Sequence, residues 1–230
     1  MPLQLSRSDT ILISMKAMTI ESLNIGLPKK ERFYGREIVT GICKVPVSGP
    51  LLLRKLGFEG DGVGDVKHHG GPDKAVCVYS IDHYPYWQEI MGERLPVAAF
   101  GENLSVAHMR EDDLCIGDIF ELGTALVQVS QPRQPCKTLA ARYGRDDMIR
   151  LVVDSGHTGF YLRVLREGQV EKGSMLILKE RDPHRITVAF ANHTYHHDNK
   201  NCEAIKRVLE LPSLSGSWKR SFHELAKRCR

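Results

Sequence analysis

The sequence of 230 residues has no apolar run approaching the roughly 20 residues that a membrane-spanning helix needs. Its first 18 residues lack a long apolar segment followed by a small-residue cleavage site, so we expect no secretory signal peptide. The six cysteines are widely spaced and form no C-x-x-C pair, which argues against a cysteine-rich zinc site. We therefore expect a cytoplasmic protein whose cysteines are reduced.

Several catalytic signatures are also absent. The glycine-dense residues 57–64 lack the spacing of a dinucleotide-binding or P-loop motif, and no serine lies in a G-x-S-x-G elbow. The acidic pairs at residues 112–113 and 146–147 are interpreted as exposed or helix-capping groups. The sequence therefore gives no support to serine-hydrolase chemistry or to a bound nucleotide.

Length and composition fit one large domain, or one domain with a small appendage. Hydrophobic residues make up 42% and charged residues 26%, as is typical of a globular protein with a buried core. Residues 187–230 carry eight Lys and Arg against four Asp and Glu, so the whole net charge of +4 lies in this tail. An acidic partner and a solvated helical face are both consistent with so small an excess.

Short β-favouring segments alternate with turn signals, which predicts a closed or sandwiched β architecture. We predict strands at residues 37–47, from residue 51, and at 75–79, 160–165 and 174–178, with a hairpin over 116–129. Two helices are predicted within this part, over residues 82–91 with Asp82 as N-cap and Gly92 as stop, and over 146–154 with Asp146 as N-cap.

After residue 183 the apolar spacing becomes helical. Thr187, Asp198 and Ser215 are candidate N-caps of three short helices, the last two with apolar residues at the 3.6-residue period. The predicted fold is mainly β with α (α+β). We expect residues 1–18 to form a flexible extension, residues 19–183 a β-barrel domain and residues 184–230 a small three-helix bundle.

The segment around Cys136 is the strongest candidate for a functional site. A β-favouring run at residues 125–129 leads into it, and Pro132 and Pro135 stiffen the chain. Arg133 and Lys137 flank the cysteine, and a nearby cation favours the thiolate, which is the form that binds metals and attacks electrophiles. A structural core cysteine is the alternative, since free Cys is among the most buried residue types.

Four loops rich in Gly, Pro and polar residues are expected to gather at the rim of the barrel, at residues 67–73, 101–103, 117–118 and 131–137. Their cations would suit a phosphorylated anionic ligand. These cations are Lys67, His68, His69, Arg133 and Lys137. Alternatively, residues 70–73 are only a turn and the histidines are solvated.

A second histidine cluster comprises His193, His196 and His197. On a helix, His193 and His197 could share a zinc ion, but the Glu of H-E-x-x-H is missing. Histidines near a helix C-terminus are also favoured by the helix dipole, so a surface cluster is the alternative interpretation.

Four motifs occur in the order found in MOSC domains, the C-terminal domains of molybdenum-cofactor sulfurases. They are HGGPDKA at residues 69–75, FGENL at 100–104, GD at 117–118 and QPRQPC at 131–136. Over residues 37–230 the sequence resembles the stand-alone bacterial YiiM type, which has a C-terminal three-helix unit. The resemblance implies a MOSC-type β-barrel that binds the molybdenum cofactor (Mo-molybdopterin), with the Cys136 thiolate as a molybdenum ligand.

The resemblance also implies roles for other residues. The implied catalytic residues are Cys136, His69 and Asp73, and the implied cofactor-binding residues are Lys67, His68, Asn103, Arg133 and Lys137. YiiM-like proteins are associated with reducing N-hydroxylated compounds, including hydroxylamino purines, to amines, which is a detoxifying reaction. The chain has no iron–sulfur cysteine spacing and no flavin or nicotinamide motif, so such an enzyme would need a separate electron-donor reductase.

Alternative functions stay open at this stage. The protein could carry the molybdenum cofactor without turnover, or bind nucleic acid through the basic residues of its tail. We expect the tail to pack, dimerise or dock the electron donor instead, because Trp218, Phe222 and Leu225 need burial. Cysteine desulfuration is not expected, since the pyridoxal-phosphate half of the full sulfurases is absent.

Overall fold

A computed structural model describes residues 18–229, so almost all of the predicted N-terminal extension lies outside the described residues. The strands are Thr19–Ile25 (β1), Lys29–Phe33 (β2), Arg36–Thr40 (β3), Val45–Pro46 (β4), Leu51–Arg54 (β5), Gly57–Phe58 (β6), Val76–Ser80 (β7), Leu104–Ala107 (β8), Ile119–Leu122 (β9), Ala125–Pro132 (β10), Phe160–Arg166 (β11), Gly168–Val170 (β12) and Leu176–Glu180 (β13). The helices are Val66–His69 (α1), Tyr84–Met91 (α2), Lys137–Tyr143 (α3), Met148–Ser155 (α4), Val188–His196 (α5), Cys202–Leu209 (α6) and Gly216–Ala226 (α7).

Eight strands form the main sheet, in the order β13-β9-β10-β11-β7-β8-β1-β4. The pair β7–β8 is parallel and the other neighbouring pairs are antiparallel. The sheet curls because β1 also meets the segment that leads into β13, where Ile20 N donates to Ser174 O at 3.0 Å and Leu176 N donates to Met18 O at 2.9 Å. The result is a half-barrel, which confirms the predicted fold class.

The half-barrel and the tail share one hydrophobic core. Ala125, Val127 and Val129 of β10 alternate into it, as expected for a strand with one buried face. Trp218 and Phe222 of α7 pack into the same cluster and are almost completely buried. Full burial of one such side chain contributes about 1.5–3 kcal/mol, so the tail is a major part of the core.

The three tail helices form as the sequence predicts, with one correction. The side chains of Thr187 and Ser215 cap α5 and α7 as expected. The expected cap Asp198 is wrong for α6, since Asn201 accepts the hydrogen bond from Ala204 N and Asp198 accepts one from Asn201 Nδ2 instead. The helix starts later because the chain first makes a turn at residues 198–201.

Two further N-cap predictions are wrong. Asp82 lies inside a 3₁₀ turn, Ile81–His83, that Ser80 caps, and its carboxylate accepts a hydrogen bond from His108 N. Helix α4 begins two residues after Asp146, and the residue before it, Asp147, is held by Arg145 at 2.9 Å. The Asp82 carboxylate thus has a tertiary partner, and α4 starts after Asp147 rather than after Asp146.

The expectation of six reduced thiols is wrong for one pair. Cys202 and Cys229 form a disulfide that joins the start of α6 to the end of the described chain, with 5.6 Å between their Cα atoms. Cys43, Cys77, Cys115 and Cys136 are free. No helix within residues 18–229 is long and apolar enough to span a bilayer.

Candidate active site

A cavity of about 320 Å³ lies where several loops of the half-barrel meet. Its walls come from residues 39–42, 44, 54, 56–59, 61–65, 69–70, 74–75, 77, 100–101, 103, 133, 136 and 138, together with Tyr161 of β11. Three of the four loops that the sequence placed at the rim contribute to these walls; the loop at 117–118 does not. The volume suits a small organic ligand.

Cys136 lines this cavity and is half-buried, directly before α3. Burial opposes ionisation of its thiol, but a hydrogen bond from His69 and the charge of Arg133 outweigh it and lower the pKa of Cys136 to about 6. At neutral pH the sulfur is therefore mainly thiolate. Cys136 is therefore not a cysteine enclosed in the core, which was the alternative interpretation.

Arg133 supplies a fully buried positive charge beside that sulfur. Its Nη2 donates to Phe100 O at 2.7 Å, and its backbone N donates to Gly159 O at 3.0 Å. Burial works against the charge, but nearby acidic groups, Cys77 first among them, raise the pKa of Arg133. The guanidinium thus stays charged and fixed where the cavity meets Cys136.

Another part of the wall is a hydrogen-bonded network around Asn103. Asn103 Oδ1 accepts from Cys77 N at 3.0 Å, and its Nδ2 donates to Asp61 Oδ2 at 2.7 Å. The other carboxylate oxygen of Asp61 pairs with Lys44, and both of these side chains are almost completely buried. Sequence reasoning found Asn103 but missed Lys44 and Asp61, whose only signal is the position of Asp61 in the glycine-dense segment.

The structure does not bring Lys67, His68 and Lys137 to the cavity. Lys67 and His68 are exposed on α1, where His68 Nδ1 lies 2.6 Å from Asp65 Oδ2, and Lys137 is exposed at the start of α3. The cation that this loop does contribute is Lys74, which lines the cavity. Burial lowers the pKa of Lys74.

Asp73 also lies outside the cavity walls. The 3₁₀ turn Pro72–Lys74 directs its carboxylate toward Arg163, whose Nη2 is 2.9 Å away, and toward Gly216 N in α7 at 3.0 Å. A direct catalytic role for Asp73 therefore finds no support in the geometry. Of the three residues implied to be catalytic, Cys136 and His69 come together at the cavity.

The histidines at the end of α5 do not form a three-ligand cluster. His193 and His197 lie 5.4 Å apart between ring centroids, and His197 Nε2 is 3.1 Å from the carbonyl oxygen of Val153. Within residues 18–229, the group of ligands close enough for one metal ion is a different one, formed by His83, Glu111 and His157.

The geometry of this second group favours a structural role. The rings of His83 and His157 stack with centroids 3.8 Å apart and an interplanar angle of 16°, so their in-plane lone pairs run nearly parallel and do not converge on one ion. Glu111 already accepts from Gly159 N at 2.6 Å and lies 2.7 Å from His83 Nε2. Since Gly159 O accepts from Arg133 N, this group braces the strand start that holds Arg133.

Fold and site together define a class of protein: a curled β-sheet domain with a cavity around an ionised cysteine, followed by a three-helix unit. A MOSC domain model matches residues 65–176, and a model of the YiiM-like 3-alpha helix domain matches residues 186–225. The chain belongs to this MOSC family, in its YiiM-like branch.

Individual relatives agree with that assignment. The uncharacterised protein YflK of Bacillus subtilis is 50% identical over 204 residues, which are 89% of this chain and 92% of YflK. YiiM of Escherichia coli is 37% identical over 188 residues, 80% of this chain and 84% of YiiM. The crystal structure of YiiM from Geobacillus stearothermophilus superposes with a TM-score of 0.78 at 40% identity, covering 91% of this chain and 99% of that one.

A longer relative is named a reductase. This protein of Gibberella moniliformis is 33% identical over 190 residues, which are 80% of this chain but only 33% of the fungal protein. The matched region is thus one part of a larger polypeptide.

Proposed function

We propose that this protein binds the molybdenum cofactor in the Cys136 cavity and reduces N-hydroxylated compounds to amines, with electrons from a separate donor protein. The observation that carries the proposal is the half-buried Cys136 thiol, which faces the cavity with its pKa lowered to about 6. Membership of the MOSC family and the name of the fungal relative support an oxidoreductase.

The residues of the cavity fit such a group. The Cys136 thiolate would ligate the metal, since a soft sulfur ligand suits it. Arg133 and Lys74 both line the cavity, and they would face the anionic part of the cofactor. Asn103 donates to Asp61 Oδ2 and to Asn24 O and accepts from Cys77 N, so it would hold this part of the wall in a fixed position beside the cofactor.

When bound, the cofactor supplies the two-electron chemistry that no side chain here can perform. Reduction of R–NHOH consumes two electrons and two protons and yields R–NH₂ and water, so protons must reach the reacting nitrogen and oxygen. His69 is half-buried and lines the same cavity as Cys136, so it is placed to hold a proton near the reacting atoms. The electron donor would dock from outside, where the cavity opens.

Replacement of the thiol tests the proposal. Cys136→Ser should lose molybdenum and pterin fluorescence per chain, and reduction of a hydroxylamino purine with a chemical donor should fall at least a hundredfold, while the fold persists. The matched control is Cys43→Ser, because Cys43 is another free, half-buried cysteine but does not line the cavity. It should keep both metal and activity.

Two outcomes would contradict the proposal in different ways. Wild-type molybdenum content and turnover in Cys136→Ser would show that the site is misassigned. A wild-type protein that retains the cofactor but reduces N-hydroxy substrates no faster than free cofactor would be a carrier rather than an enzyme.

A further inference from the structure

The first turn of α7 rests on the strand that leads into the thiol site. Ser215 N donates to Ser130 O at 3.1 Å, and Ser217 Oγ donates to Gln131 Oε1 at 3.0 Å. Ser130 and Gln131 lie just before Arg133 in the chain, and the strand that contains them ends at Pro132. The tail thus holds the segment that delivers Arg133 and Cys136.

The same helix turn also holds the segment that delivers His69. Gly216 N donates to Asp73 Oδ2 at 3.0 Å, and the other carboxylate oxygen of Asp73 lies 2.9 Å from Arg163 Nη2. The backbone oxygen of Asp73 accepts from Ser130 Oγ at 2.6 Å. Asp73 is therefore fixed at three points, by α7, β11 and β10.

Asp73 belongs to a short, self-bonded segment. His69 N donates to Asp65 O at 2.9 Å, and Lys74 N donates to Gly71 O at 3.0 Å. The ammonium group of Lys74 also donates to His68 O, which ties the two ends of the segment together. Displacement of Asp73 would therefore move His69 and Lys74 with it.

From these contacts we infer that Asp73 is a positioning residue, through which the first turn of α7 holds the segment that carries His69 in the cavity wall it shares with Cys136. The three-helix unit is then part of the site, although none of residues 184–229 lines the cavity. The other cavity-lining groups discussed above, namely Arg133, Cys77, Lys74 and Tyr161, belong to the half-barrel. Arg133 has its own anchors at Phe100 and Gly159, so loss of Asp73 should affect His69 first.

Gly216 offers a variant that removes a single donor. Gly216→Pro deletes the N–H that reaches Asp73, at the first position of a helix, where proline is tolerated. Ser215, which precedes it, has a ψ of 151°, and this extended backbone is compatible with a following proline. The matched control is Gly216→Ala, which keeps the N–H and adds a Cβ whose nearest neighbour, Arg220 Nη1, is 3.6 Å away.

The experiment measures alkylation of Cys136 by a small reagent in the cofactor-free, full-length protein at mildly acidic pH, with Cys43 as the internal reference in the same mass spectra. Thiolate is the reactive form, and the His69 contact favours it. Gly216→Pro and Asp73→Asn should slow Cys136 relative to Cys43 several-fold, towards the rate of His69→Ala. Gly216→Ala should match the wild type.

The direction in which the alkylation rate of Cys136 changes distinguishes a positioning role of Asp73 from a general destabilisation of the fold. A merely structural defect would expose both cysteines and speed their alkylation, whereas loss of the His69 contact slows Cys136 alone. Wild-type Cys136 rates in Asp73→Asn and in folded Gly216→Pro would overturn the inference, as would a wild-type rate in His69→Ala. If Gly216→Pro does not fold, Asp73→Asn decides the matter, and no arm depends on whether the protein binds molybdenum.

Discussion

Two cysteines that face one cavity differ in their ionisation at neutral pH. Burial raises the pKa of the Cys77 thiol to about 11, although Arg133 is nearby. Cys136 is half-buried, and although burial raises the pKa of its thiol, His69 and Arg133 together bring it to about 6. The difference lies in the lesser burial and the extra partner, which make Cys136 the better candidate for a metal ligand.

The depressed pKa of Cys136 predicts a pH-dependent stability for the cofactor-free protein. A group whose pKa is lower when folded contributes stability above its unfolded pKa, near 9.0, and loses it as the pH falls through about 6. The difference in unfolding free energy between the wild type and Cys136→Ser should therefore grow from pH 6 to pH 9. Its upper limit is about 4 kcal/mol. Denaturant titrations at several pH values measure this difference, and a constant value would contradict the assigned ionisation.

The site residues that could be predicted from the sequence are those with a signal in the neighbouring residues. Cys136 and Arg133 could be predicted because each follows a proline, and Asn103 and His69 because they lie in motifs of the family. The pair Lys44–Asp61 forms between two irregular loops, so no spacing in the sequence indicates it. For Asp73 the motif predicted a place at the active site, but the backbone turn directs its carboxylate toward Arg163 and Gly216, outside the cavity wall.

At the scale of elements, the disulfide Cys202–Cys229 ties α6 to the 3₁₀ turn that follows α7. The two cysteines are 27 residues apart, and closing a loop of this size stabilises a protein by about 3 kcal/mol, mainly by restricting the unfolded chain. Cys229→Ser should lower the unfolding free energy by about that amount under oxidising conditions. In a strong reductant the wild type and the variant should have the same stability.

The control for this prediction is Cys43→Ser, since Cys43 is a free thiol outside the helical unit. Adding reductant should change the unfolding free energy of Cys43→Ser by the same amount as that of the wild type. An unchanged wild-type midpoint on adding reductant would show that the bond does not form in solution.

The elements that the sequence did not predict lack a local signal, each for its own reason. The sequence of β1 lacks the usual alternation of apolar and polar residues, because Ser22 and Asn24 are buried polar residues. They hydrogen-bond to each other at 2.7 Å. Helix α3 was missed because it follows a proline-rich segment directly and has no capping side chain at its start. Of the tail helices, α5 and α7 were predicted from the conventional caps Thr187 and Ser215, and α6 and α7 also from periodic apolar residues.

At the scale of the whole molecule, the half-barrel depends on its tail. Ile205, Val208, Trp218 and Phe222 are buried in the core cluster that also contains Phe120 and Val127 of the half-barrel. Four large side chains contribute about 6–12 kcal/mol, which is comparable to the total stability of a typical domain.

A chain that ends at residue 185 should therefore not form the native half-barrel. We expect a loss of near-UV circular dichroism, binding of a hydrophobic dye and no cooperative unfolding transition. The full-length protein is the control. A soluble fragment that unfolds cooperatively would show that the two units are independent domains, divided where the sequence changes character at residue 183.

The parallel pair β7–β8 has a consequence for how this architecture can vary. Parallel neighbours cannot be joined by a tight turn, so residues 81–103 must travel from one end of the pair back to the other. This connection between β7 and β8 places Phe100, Gly101 and Asn103 in the cavity wall, whereas Cys136 lies on a separate segment that follows β10. Insertions or deletions within this connection could deepen or shorten the chamber without disturbing the thiolate, so homologues could diverge in ligand size while keeping one reactive centre.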